Sequence, residues 1–134
     1  MQMNTDQAET TKNFIKAIRL INIEDNECAF ETGTIPIRQH INASYFFAQT
    51  DVSTLEKIPH PAPRRQYVIT LKGKLRFTVS NGETFIVEPG IILIANDTAG
   101  EGHTWEVIEG NEWERIYIPL EDDTNDYFIA DTLL

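Results

Sequence analysis

The segment His60-Pro61-Ala62-Pro63-Arg64-Arg65-Gln66 gathers an imidazole, two guanidinium groups and an amide, and runs straight into an apolar stretch, Tyr67 to Leu71, closed by Lys72-Gly73-Lys74. A second imidazole, His103, follows a segment that opens at Glu88-Pro89-Gly90. Imidazole nitrogens bind divalent metals or carry protons, and an amide oxygen is a weaker, neutral ligand. A guanidinium presents a planar pair of donors to a carboxylate or phosphate. Each residue also has a plain structural role open to it. His60 precedes a proline, which holds its backbone extended, so it suits a strand-entry histidine bonded to a carbonyl. Gln66 suits an interior polar group satisfied by its neighbours, His103 a cap on the Gly-rich turn before it, and Arg64 an exposed partner for a surface acid.

Strand alternation ties these side chains to others. If Gln66 faces inward, then Val68 and Thr70 do too, with Arg64 reaching the same mouth while Arg65 faces out. His103, Trp105 and Val107 share one face by the same rule. Phe46, Trp105 and Tyr117 are candidate aromatic walls of a cavity, or simply core. The elements that must hold them read as strands. Leu75, Phe77 and Val79 alternate with polar residues, Asn81-Gly82 suits a tight hairpin turn, and Thr84 to Val87 runs back. Ile91 to Ala95 is a continuous apolar strand, Thr104 to Ile108 another, and Glu109-Gly110-Asn111 is expected to turn the chain into Trp113 to Leu120. Phe14 to Ile23 and the run Tyr45-Phe46-Phe47 complete the set. Many short strands without helical periodicity predict an all-β sandwich or barrel. The organisation expected is a polar arm over residues 1–13, one barrel over 14–120, and an acidic linker with an apolar end over 121–134.

Aligned without gaps, His60 to Gly73 resembles the first signature of the cupin superfamily. His60 falls on its first histidine, Ala62 on the second, Gln66 on the glutamate and Gly73 on the glycine. Pro89-Gly90, Ile91 to Ala95 and His103 resemble the second signature, with a turn, Asn96 to Gly102, about two residues longer than the common form. The resemblance covers residues 59–107 and implies a jelly-roll barrel, or double-stranded β-helix, with a divalent metal (Fe, Mn, Ni or Zn) in its mouth. Carried over residue by residue, it implies a metal site of His60, Gln66 and His103. Ala62 cannot ligate and Gln66 lacks a carboxylate's charge, so the site is expected to bind weakly unless His40 or another group completes it. The resemblance further implies a homodimer, for which Phe14 to Ile23 and Tyr127 to Leu134 are the candidate contacts.

Composition bounds the partners. The chain has 134 residues, is 41% hydrophobic and carries a formal charge of −10, which fits one domain and disfavours nucleic acid and anionic membrane surfaces. Cys28 is the only cysteine, so neither an intramolecular disulfide nor a thiolate cluster can form; it reads as a small buried hydrophobe. With no signal peptide or membrane-spanning apolar run, the expected location is the cytoplasm. Asn96-Asp97-Thr98 matches the glycosylation pattern only by chance on that reading.

The function expected is binding of a small anionic metabolite beside a weak or degenerate metal site, with Arg64 holding the anion. The alternatives are a metal-dependent enzyme of the dioxygenase or sugar isomerase/epimerase class, and a non-catalytic sensing or interaction module.

Overall fold

The computed structural model describes residues 12–52 and 58–131. The N-terminal arm expected over residues 1–13 and the last three residues of the C-terminal segment fall largely or wholly outside them. Among the described residues the protein is all-β, apart from one 3-10 turn at Glu24–Asn26. The strands are β1 Phe14–Asn22, β2 Cys28–Pro36, β3 Phe47–Gln49, β4 Gln66–Val79, β5 Thr84–Val87, β6 Ile92–Ala95, β7 His103–Pro119 and β8 Ile129–Ala130. They form one mixed sheet in the order β3-β7-β4-β6-β1-β2-β8, with β5 on β4. All pairs are antiparallel except β1 with β6. The order does not return on itself, so the sheet is open, with β3 and β8 at its ends.

The long β4/β7 pair gives the sheet its depth. Its first part joins Gln66 to Pro119 and Val68 to Tyr117, and its second joins Leu75 to Val107 and Val79 to His103. Between them the register shifts around Thr70, Lys72 and Lys74. Gly73 sits in this irregularity at φ +120°, where a Cβ would lie 2.6 Å from the Glu112 carbonyl oxygen, so both the conformation and the space call for glycine. The turn expected at Glu109-Gly110-Asn111 does not separate two strands: the residues are the other side of the bulge, and β7 runs through them.

Both faces of the sheet bury apolar side chains, which is why Ile91 to Ala95 reads as unbroken rather than alternating. One cluster holds Leu20, Val68, Leu75, Phe77, Leu93, Trp105 and Trp113. The other holds Ala17, Ile35, Tyr67, Ile94 and Leu120, with Tyr127 and Phe128 packed against it. The acidic segment from Glu121 is therefore more than a linker, since it straps the second face. Asp126, 5% exposed, accepts from Arg19, Asn96 and the Phe128 N–H, while the Tyr67 hydroxyl donates to its carbonyl at 2.6 Å. No helix among the described residues is long and apolar enough to cross a membrane.

Candidate functional site

The first cluster surrounds a cavity of about 500 Å³. Its rim and walls come from the His60 segment, from Gln66 and Val68 of β4, from Phe47 of β3, and from β7 through His103, Trp105, Trp113, Arg115 and Tyr117. The two imidazoles meet there. The backbones of His60 and His103 exchange hydrogen bonds of 3.1 and 3.0 Å, and the ring centroids lie 5.0 Å apart. His60 thus stands before the strand, on a bridge to the first residue of β7. Gly102, at φ +75°, permits this approach, because a Cβ there would collide with the His60 carbonyl. The loop 96–102 is pinned from the other side by the Asn22 side chain, bonded to both the N–H and the carbonyl of Ala99.

The donor atoms of the three expected ligands are largely committed elsewhere. His60 Nδ1 is 2.8 Å from the Ile58 carbonyl, to which it donates. Gln66, 4% exposed, accepts from Arg64 Nη1 at 3.1 Å through its side-chain oxygen. His103 Nδ1 lies 2.5 Å from Asp97 Oδ2. These bonds leave the Nε2 atom of each imidazole as the polar ring atom open to the cavity. A guanidinium resting on Gln66 Oε1 also repels any cation that this oxygen might help to bind.

Behind His103 lies a group that pattern reading missed. Asp97 is fully buried, and its Oδ2 also accepts from the Cys28 thiol at 3.4 Å. Its Oδ1 is buried with no hydrogen-bond partner among the described residues. Burial pushes the Cys28 thiol well above its usual range, and the neighbouring Asp97 carboxylate pushes it further. Cys28, Asp97 and His103 could hold a metal ion, their donor atoms lying within 4.8 Å of one another. The donor set fits only with rearrangement. Two ligands of one tetrahedral ion sit roughly 3.3–3.7 Å apart for ordinary bond lengths, whereas Asp97 and His103 are at hydrogen-bond distance. The thiol must also lose its proton to ligate. One cue to Asp97 was available: continuing the inward parity of Leu93 and Ala95 lands on it.

Of the expected pocket residues, Arg64, Val68, Trp105 and Tyr117 line the cavity. Phe46 does not. It is 69% exposed, and Phe47, where β3 begins opposite Tyr117, turns inward to stack on that ring at 5.1 Å. Thr70 is inward but outside the cavity lining, where it accepts from Trp113 Nε1 at 3.0 Å. His40 is exposed and takes no part in the lining, so it completes no site with the other two histidines. Arg115, which sequence reading left unassigned, is 6% exposed. Its guanidinium donates to the Asp51 and Trp113 carbonyls and to the Tyr117 hydroxyl, and lies 4.1 Å from the Trp113 ring centroid.

No protein-family model, curated protein or solved structure matches the chain. The functional reading therefore rests on the chemistry of this cavity.

Proposed function

We propose that the protein binds a small organic anion in the cavity of a cupin-type jelly-roll barrel, of which the open, bent sheet described above is the frame. The observation that carries the reading is Arg64. Its guanidinium lies at the cavity with the neutral Gln66 oxygen as its hydrogen-bond partner and no carboxylate within ion-pair distance among the described residues. A cation so placed, in walls that are mostly apolar and aromatic, favours an anionic head on an otherwise apolar guest. A divalent metal (Fe, Mn, Ni or Zn) held by His60, Gln66 and His103 would be bound weakly, because Gln66 is already bonded to Arg64. In chelator-treated protein, millimolar carboxylates or sugar phosphates should raise the melting temperature beyond a matched sodium chloride control. Arg64→Gln should remove the shift. If no anion stabilises the native protein, the reading fails.

A second reading, a metal-dependent enzyme, is favoured by the Cys28, Asp97 and His103 group, where a bound ion would serve as Lewis acid. That reading requires protein made without a polyhistidine tag to retain near-stoichiometric metal, lost on His103→Ala. Homodimerisation belongs to the same proposal. Phe14, Ile15 and Ile129, about half exposed, are the apolar side chains left on the two segments expected to meet a partner. Light scattering should then give twice the 15.3 kDa chain mass.

A further inference from the structure

The cavity's polar groups divide into donors and acceptors, and the division specifies a guest more narrowly than its charge does. Arg64 supplies donors. The two imidazoles supply acceptors, because each commits Nδ1–H to a fixed oxygen: His60 to the Ile58 carbonyl at 2.8 Å and His103 to Asp97 at 2.5 Å. The tautomers follow from those partners, and each leaves a lone pair on Nε2. Asp97 is in turn held by the Cys28 thiol and is fully buried, so the orientation of His103 is built in. The walls between these groups are rings. Trp105 and Trp113 meet edge to face at 4.7 Å, and Phe47 stacks on Tyr117 at 5.1 Å. Aromatic walls favour flat, unsaturated bodies over puckered ones through offset and edge contacts.

Resting on the anion-binding reading, we infer that the guest is a flat, unsaturated carboxylate bearing a hydroxyl or N–H donor: its carboxylate on Arg64, its ring between the aromatic walls, and its donor on the Nε2 atoms of His60 and His103. A cavity of about 500 Å³ accommodates one substituted ring with its first shell of side chains. A site whose buried acceptors await a donor discriminates strongly against analogues that lack it.

The test uses the full chain, untagged and treated with chelator, titrated by calorimetry and by the fluorescence of Trp105 and Trp113. The probes are benzoate, its three monohydroxy isomers, and cyclohexanecarboxylate. The best hydroxybenzoate should bind about tenfold tighter than benzoate, and benzoate severalfold tighter than the saturated acid. His60→Ala and His103→Phe should each reduce the hydroxyl preference while leaving benzoate binding in place. Because His103→Phe removes a buried partner of Asp97 and carries a folding risk, the partly exposed His60 variant stands as the independent check. Equal affinity for cyclohexanecarboxylate and benzoate, or a hydroxyl preference that survives both substitutions, overturns the assignment but leaves anion binding intact. A preference that emerges only with added zinc overturns it too, since the imidazoles would then hold a cation. Failure of every carboxylate to bind overturns both readings.

Discussion

Asp97 is the residue on which the site turns. It fixes the tautomer of His103, accepts from Cys28, and leaves one oxygen unpartnered in the core. Asparagine has the same shape but no charge, so Asp97→Asn should weaken the bond to His103 and cost about 1–3 kcal/mol in urea denaturation. Nitrogen-15 spectra of the His103 ring should show the Nδ1 proton no longer held in one place. Cys28 gives a second expectation. It is fully buried and its thiol is pushed up by burial and by Asp97, so iodoacetamide should leave it unmodified in the native protein and alkylate it fully in denaturant. His60, Arg64, Gln66 and His103 were legible as site residues because their chemistry and spacing are local. Cys28 and Asp97 were not, since a lone thiol and one acid among twenty-one carry no signal until their strands are placed.

At the scale of elements, the β4/β7 ribbon and the C-terminal strap each hang on few positions. Gly73→Ala forces a side chain into positive φ against the Glu112 carbonyl, whereas Gly82→Ala meets nothing within 4 Å. Both pay for conformation, but only the first also pays for collision. Thermal melts should show Gly73→Ala losing at least about 2 kcal/mol and Gly82→Ala roughly 1 kcal/mol. For the strap, burial alone would raise the Asp126 carboxyl, but hydrogen bonds from the Phe128 N–H, Asn96 and Arg19 outweigh it and hold the group below 3.8. A depressed carboxyl contributes stability that is full above its ordinary value and lost as pH falls through its folded value. Asp126→Asn should therefore cost about 1–3 kcal/mol at pH 7, less than a fully enclosed pair because Arg19 is partly exposed and keeps Glu31. It should also flatten the acid limb of the stability curve and speed hydrogen exchange over residues 127–131. The hairpin at Asn81-Gly82 was readable because turn chemistry is local. The continuity of β7 through Gly110 was not, because a glycine with positive φ serves a bulge as well as a turn.

For the molecule as a whole, the alkaline limb follows from two buried groups. Burial first, then nearby acids, raise Cys28 above its ordinary 9.0 and Tyr67 above its ordinary 10.0. A raised group contributes stability that is complete below its unfolded value and lost as pH climbs toward its folded value. Denaturation midpoints should stay flat for these groups up to about pH 8, then fall by as much as about 1.4 kcal/mol per pH unit for each group. The Cys28→Ala, Tyr67→Phe pair should fall less steeply. Composition and periodicity by themselves determined that the chain is all-β, that Gln66 and Val68 share a face, and that Arg64 lies beside Gln66, because side-chain alternation is a property of the strand alone. Only the tertiary structure decided that Cys28, 69 positions from Asp97, joins it behind His103, that Phe47 and not Phe46 lines the cavity, and that Arg115 enters it. Those meetings depend on which strands become neighbours, and that is set by burying both faces of one sheet at once, a requirement no short stretch of the chain can express.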